Sequence, residues 1–317
     1  MSQRGTGSAD RPVRVLVTGW SGVLHGEATA GDVLSMVAVT DALTEAGIAC
    51  ETGWSAVMCP RGGLRLDDAD PGAFTHLVWA CGPLSGAPVL ETAARFAGCR
   101  RIAVGVSVLD PADPAVAAFD TVLPRDTEGA DGVVDLAARP AAGSVPVVAV
   151  FLTAGQHEYG ARRRHDRVSA AIGDWLGSRD LARLHLDTRL DPRDWRLAAT
   201  AGQVESVVRR VDAVVTTRLH GLVLALKNGV PAVAVDPVSG GAKVSAQAAA
   251  WDWPVLAADA VTPAALDAAL DAALSGAGRD AAHRAAASAG SAGREQLAAL
   301  LAALGPLAPA SSVGSVR

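Results

Sequence analysis

Lysine is almost missing from this chain: Lys227 and Lys243 are the only two, and arginine supplies the rest of the positive charge. That bias is what a GC-rich genome produces, yet it makes each lysine worth locating. A basic excess is also missing. The formal net charge is −5, which excludes a general attraction to nucleic acid or anionic membrane, so any anion site has to be local. No stretch approaches the roughly 20 apolar residues that span a bilayer, and Met1 to Arg11 has no apolar core of the kind a signal peptide needs. The expectation is a cytoplasmic protein with no integral membrane segment. Cys50, Cys59, Cys81 and Cys99 show no Cys-x-x-Cys spacing and lie in or beside apolar segments, so they read as buried thiols and not as a disulfide or metal set. His25, His76, His157, His165, His185 and His283 include no His-x-x-x-His pair, and no metal or cofactor is expected.

What is present is a globular composition, 50% hydrophobic and 19% charged over 317 residues, long enough for two domains with separate cores. Short apolar strands alternate with helical patterns. Val13 to Thr18, Ile48 to Thr52, Thr75 to Ala80, Arg101 to Val106 and Thr121 to Leu123 read as strands. Helices are expected after residue 32, over Pro88 to Ala97 and near Pro114 to Phe119. Residues 137 to 146 are the linker candidate. The alternation restarts at Val147 to Leu152, with a helix opened by Arg162-Arg163-Arg164-His165, a strand at Leu184 to Leu186 and a helix over Gln203 to Arg210. Alternating strands and helices predict parallel sheets. The expected division is a disordered N-terminus (1–11), an N-terminal α/β domain (12–140), a C-terminal α/β domain (146–278), one long C-terminal helix packing back on the first domain (279–305) and a disordered tail (306–317).

The stretch Asp212 to Asp236 carries the clearest chemistry. An apolar strand runs into Thr217-Arg218-Leu219-His220-Gly221; a helix over Leu222 to Leu226 stops at Lys227-Asn228-Gly229, and a second strand ends at Asp236. This is a βαβ unit, expected as the fourth strand–helix pair of its domain, and ligands of such sheets gather beyond the strands' carboxyl ends. A guanidinium and an imidazole beside a helix N-terminus suit an anionic substrate. His220 is the acid–base candidate because an unperturbed imidazole titrates near working pH, and whether it acts as acid or base stays open. Its bland reading is a cap or a packed histidine.

In the first domain, Gly19-Trp20-Ser21-Gly22 follows the first strand. It is one residue short of a Gly-x-Ser-x-Gly nucleophile elbow, and it lacks the Gly-x-Gly-x-x-Gly of a dinucleotide site. The loop runs through His25 and Glu27 to Gly31-Asp32, with Asp32 either capping the following helix or facing a cleft. Cys81-Gly82-Pro83-Leu84 follows another strand. Arg125, in Pro124-Arg125-Asp126, is expected at a strand's carboxyl end, where it pairs with Asp126 or faces the same cleft. Arginines 162 to 164 in a first helical turn would oppose the macrodipole unless an anion binds there; the alternative is a solvated arginine face.

Together these features resemble the polysaccharide pyruvyl transferase family. The resemblance rests on Thr217-Arg218-Leu219-His220, Gly229-Val230-Pro231, the strand to Asp236 and Lys243, with looser likeness at Gly31-Asp32, Cys81-Gly82-Pro83-Leu84 and Arg125-Asp126. It implies two Rossmann-like domains facing across a cleft, GT-B-like, and transfer of a pyruvyl group from phosphoenolpyruvate to hydroxyls of a sugar or glycan acceptor to give a ketal in polysaccharide biosynthesis of the cell envelope. It implies catalytic roles for His220 and Arg218, and substrate contacts for Lys243, Arg125, Asp32, Gly31, Gly19, Gly82 and Arg163. Family members commonly carry an arginine directly after the first strand of the second domain. Thr153-Ala154-Gly155 stands there instead, so one of Arg162 to Arg164 would have to take its place. Two rivals are a glycosyltransferase, for which Asp236 is the placed ribose-binding carboxylate, and an inactive sugar-binding or scaffold relative.

Overall fold

The computed structural model describes residues 11–23, 28–127, 131–139 and 143–305. The terminal segments expected to be disordered, apart from Arg11, and the His25 and Glu27 positions lie outside them. Contacts divide the chain into two units, Met1–Gly143 and Ser144–Arg317.

In unit 1 the strands are β1 (Arg14–Gly19), β2 (Ala49–Trp54), β3 (Leu64–Arg65), β4 (His76–Ala80), β5 (Arg100–Val108) and β6 (Thr121–Thr127). The helices are α1 (Ala30–Glu45), α2 (Ala87–Arg95) and α3 (Pro114–Ala117). The sheet is parallel in the order β3-β2-β1-β4-β5-β6, so the strand order reverses between β1 and β4. Both faces are covered: Leu16 and Leu77 pack with Leu66, Phe74 and Phe96, whereas Val15, Val17 and Val78 pack with Met36 of α1. The alternation along β1 is the period of two that a strand buried on both sides requires.

Unit 2 holds β7 (Val147–Phe151), α4 (His165–Gly177), β8 (Ala182–His185), α5 (Ala201–Val208), β9 (Ala213–Thr216), α6 (Leu219–Lys227), β10 (Ala232–Asp236), α7 (Lys243–Ala250), β11 (Val255–Ala257), α8 (Pro263–Leu274), α9 (Gly276–Ser288) and α10 (Arg294–Ala303). Its parallel sheet runs β11-β10-β9-β7-β8, with the reversal between β7 and β9. Phe151, Val214 and Ala234 face α5, α6, α7 and α9, and Val150, Val215 and Val235 face α4 and α8. Each such fully buried valine or phenylalanine contributes about 1.5–3 kcal/mol.

Several expectations change. The Asp212 to Asp236 stretch is the third strand–helix pair of its unit, after β7–α4 and β8–α5, not the fourth. The three arginines precede α4: Arg162 ends a short helical stretch kinked at Gly160, Arg163 caps that stretch and Arg164 is the N-cap of α4, so the argument about opposing the macrodipole lapses for them. Arg125 lies within β6, which runs on to Thr127. The single C-terminal helix is two: Gly293, at φ 69°, breaks it into α9 and α10. α9 packs on α6 and α8, and α10 buries no side chain. All four cysteines are free, but Cys50 and Cys59 are half-exposed instead of buried. Among the described residues no helix is long and apolar enough to cross a membrane.

Candidate functional site

Both strand-order reversals are lined with the polar residues picked out in the sequence. Parallel sheets leave a crevice at such a point because the flanking connections depart to opposite faces.

In unit 2, β9 ends at Thr216, and the chain turns into α6 with Arg218 as N-cap. The Thr216 hydroxyl receives the Arg218 N–H at 2.9 Å and donates to the Arg218 carbonyl at 3.0 Å, which clamps the turn. Gly221 allows α6 to sit this close: a Cβ there would stand 2.2 Å from Thr216 Oγ1 and 3.2 Å from Phe151 Cβ. The β7 and β9 ends are tied by Thr153 N–H to Thr217 Oγ1 (2.8 Å) and by the Thr153 hydroxyl to the Thr217 carbonyl (3.2 Å). Arg218 then reaches back across the crevice. Its Nε donates to the Leu152 carbonyl at 3.0 Å, and its Nη2 lies 3.3 Å from Asp187 on the loop after β8. One side of the guanidinium is thereby anchored. His220 occupies the first turn of α6, exposed, where backbone N–H groups have no intrahelical acceptor.

Lys243 opens α7, after β10, at the same edge of the sheet. Asp236 is fully buried and engaged on both oxygens, receiving N–H groups of Val238, Ala242 and Ser245 and the Ser245 hydroxyl at 2.7–3.0 Å. It holds the β10–α7 turn and has no oxygen left to offer a ribose, which removes the carboxylate that the glycosyltransferase alternative needs. Arg163 is engaged too. It pairs with Asp166 through two bonds of 2.6 and 2.9 Å and donates to the Gly155 carbonyl at 2.6 Å.

In unit 1 the reversal carries a cavity of about 640 Å³ lined by Trp20, Thr29, Gly31, Asp32, Cys81, Gly82, Pro83, Arg125, Asp135 and Ala137. Four of the residues singled out in the sequence, Gly31, Asp32, Gly82 and Arg125, meet here. Gly19 closes β1 just behind Trp20 and does not line the cavity. Asp32 is not the cap itself: Thr29 caps α1, and Asp32, three residues on, accepts the Thr29 N–H and hydroxyl in a capping box. Arg125 makes its expected pair with Asp126 and also lines this cavity. It bonds Asp126 at 2.8 Å, Ser107 Oγ at 2.6 Å and Asp135, while still lining the cavity. These carboxylates raise the guanidinium further above its ordinary range. Burial alone would raise Asp135, but the Ala137 N–H, Arg125 and Ser35 outweigh it and hold the carboxyl below its usual range.

Gly82 has φ 72°, and a Cβ on it would meet the Trp20 indole at 2.2 Å; the indole lies over this glycine and donates to the Pro83 carbonyl at 3.3 Å. Cys81 has φ 66°, a left-handed backbone unusual for a side chain with a Cβ, and burial pushes its thiol pKa up, keeping it protonated. A separate cavity, of about 350 Å³ and mostly apolar, lies at the amino ends of β10 and β11 against α8 and α9, away from both reversals.

Sequence reasoning missed Thr216, Asp187 and Asp135. Asp187 and Asp135 are ordinary loop acids whose partners come from other elements. Among the described residues no three His, Cys, Asp or Glu side chains gather to hold a metal ion.

No curated protein matches the chain. Solved structures with similar chains include the glycotransferase of kitacinnamycin (14% identity, 94% of this chain and 100% of that one, TM-score 0.35). Acinetobacter baumannii MurG is another (13%, 92% and 100%, TM-score 0.35), as is the spinosyn rhamnosyltransferase SpnG with thymidine diphosphate (12%, 93% and 100%, TM-score 0.33). The fold rests on the two parallel sheets and their strand orders: two Rossmann-like α/β units. A family model, polysaccharide pyruvyl transferase, matches residues 172–239, a segment that runs from α4 past β10 and contains Arg218 and His220.

Proposed function

We propose that this protein transfers a pyruvyl group from phosphoenolpyruvate to a sugar of a polysaccharide or of its lipid-linked precursor, forming a cyclic ketal. The observation that carries this reading is the family match over 172–239, which covers the anchored Arg218 and the neighbouring His220. Phosphoenolpyruvate brings a carboxylate and a phosphate. An arginine held from one side by Leu152 and Asp187 has its remaining N–H groups pre-aimed, so less entropy is lost when it binds an oxyanion.

In the reaction one acceptor hydroxyl adds to the enol carbon while a proton reaches the methylene, making it a methyl group. A second hydroxyl then forms the other C–O bond as the C–O bond to phosphate breaks; its proton leaves with inorganic phosphate. His220 handles these protons, since it is the exposed titratable group on the turn that also carries Arg218. The unit 1 cavity takes the acceptor. Trp20 offers an apolar ring to a sugar's C–H face, and Asp32 and Arg125 offer hydrogen bonds to its hydroxyls.

The test is phosphate release from phosphoenolpyruvate in the presence of a panel of glycan acceptors, with the ketal methyl group detected in the product by NMR. Wild-type protein should release phosphate only with an acceptor. His220→Ala should lose about a hundredfold or more in rate, the usual scale of general acid–base catalysis, with an unchanged melting temperature. Turnover with a nucleotide sugar instead, or a His220→Ala variant that fails to fold, would sink this reading.

A further inference from the structure

The arginine expected directly after the first strand of the second domain is absent, since Thr153-Ala154-Gly155 follows β7. The structure offers a replacement from further along the chain. Residues 157–162 form a short helical stretch kinked at Gly160, and the strap that ends it pairs with the loop after β10: the Ser239 N–H donates to the Arg162 carbonyl at 2.8 Å, the Arg164 N–H donates to the Pro237 carbonyl at 2.9 Å, and Arg163 and Val238 form an antiparallel bridge. These bonds bring Arg162 next to the segment that leads to Lys243.

Among the three neighbouring arginines the division is clear. Arg163 is engaged by Asp166 and Gly155, and Arg164 donates to the Ala161 and Arg163 carbonyls. Arg162 has no acceptor for its guanidinium among the described residues; it lies against the ring of Tyr159, the chain's single tyrosine, 5.9 Å from the centroid. Lys243, likewise without an ion pair among the described residues, has its Nζ 6.0 Å from the same centroid. Two uncompensated cations on one ring repel each other, and a bound anion reverses the sign of that interaction.

Two further features point the same way. Tyr159 stacks on His165, which is fully buried. His165 Nε2 meets Gln156 at 2.9 Å, and its Nδ1 is buried with no partner. Lys243 also begins α7, whose first N–H groups have no intrahelical acceptor and form the positive end of the helix dipole.

We propose that Arg162, Lys243 and Tyr159, with His165 beneath the ring, form a phosphate subsite that replaces the arginine missing after β7. The proposal rests on the pyruvyl transfer reading for the identity of the donor, phosphoenolpyruvate, whose phosphate would sit here while Arg218 takes its carboxylate. The site itself is defined by its affinity for a phosphate oxyanion, which separates the two claims.

The experiment titrates phosphoenolpyruvate and, separately, inorganic phosphate into the wild-type chain and into Arg162→Ala, Arg162→Lys, Lys243→Ala and Arg163→Ala, each checked for folding by circular dichroism. Arg162→Ala and Lys243→Ala should each weaken phosphoenolpyruvate by at least about tenfold, the scale of one charge-assisted hydrogen bond. Both should abolish the weaker binding of inorganic phosphate, and Arg162→Lys should restore part of it. Wild-type binding of phosphoenolpyruvate that Arg162→Ala leaves intact would overturn the subsite and leave the function standing. Loss confined to Arg163→Ala would also overturn it. Phosphate binding lost in Arg162→Ala, with no binding of phosphoenolpyruvate, would keep the subsite and remove the function. Binding of neither ligand by the wild type would remove both.

Discussion

The two strand-order reversals of this chain have the same topology and opposite electrostatics. In unit 1 the charged groups are engaged from within and carboxylates outnumber the one cation: Arg125 is held by Asp126, Asp135 and Ser107, and Asp32 by the Thr29 cap. In unit 2 only one side of Arg218 is anchored, and Arg162 and Lys243 have no counter-ion among the described residues. A crevice whose one cation is already engaged by carboxylates presents hydrogen-bonding groups with no free positive charge, which suits a neutral polyol. One with uncompensated cations at a helix start selects anions. With a net charge of −5 the chain as a whole does the reverse, so the positive potential of unit 2 is a local construction.

The largest expected effect comes from treating the two arginines alike. Arg218→Lys keeps the charge but loses the fork that bonds Leu152 and a ligand together, and should cost on the order of a hundredfold in kcat/KM for phosphoenolpyruvate with little change in stability. Arg125→Lys should do the opposite, lowering stability by about 2 kcal/mol through the broken pairing with Asp126, Asp135 and Ser107 while changing turnover modestly. Steady-state kinetics beside denaturant unfolding measures both; equal kinetic losses would erase the contrast.

Next in size is the packing that positions Arg218. Gly221→Ala drives a methyl group into Thr216 Oγ1, so it should destabilise unit 2 by about 1–3 kcal/mol, as overpacked sites do. It should also raise KM for phosphoenolpyruvate, because Thr216 clamps the Arg218 backbone. An unaltered KM with the full stability loss would mean that the clamp does not set the arginine's position.

A smaller effect sits in unit 1. At Cys81, with φ 66°, Gly should be more stable than Ala by about 1 kcal/mol, the reverse of the usual order in regular structure, because both remove the thiol and only glycine relieves the backbone. Chemical denaturation of the two variants decides it, and the usual order returning would show that the loop relaxes.

The smallest effect is on pH. In unit 2, hydrogen bonds from Arg179 and then from Trp175 pull the Asp267 carboxyl down to about 2. A depressed folded-state pKa adds stability above the ordinary carboxylate pKa of about 3.9, and that contribution is lost as the pH falls toward 2. Melting curves over that window should show an acid loss that Asp267→Asn reduces.

Much of this was legible in the chain. The apolar runs of β7 and β9, the glycine stop after Lys227 and the Thr-Arg-Leu-His turn announced parallel strands and a polar group at their carboxyl ends, since a strand buried on both faces reads as a near-continuous apolar run. The break between α9 and α10 was hidden because alanine-rich helix propensity runs through Gly290 and Gly293 and only the left-handed Gly293 shows the stop. Asp187 and Asp135 were invisible for a different reason: a loop aspartate acquires meaning only from a partner on another element.

The sequence by itself determined that there are two parallel α/β units, where their polar turns fall, and that Arg218 and His220 share one of them, because periodicity and turn chemistry are local. Only the tertiary structure decided which charges are free. Arg162, Arg163 and Arg164 are indistinguishable as a string, yet the strap alongside Val238 leaves the first open and engages the other two. Pairing is a property of distances between elements, and no run of residues contains it.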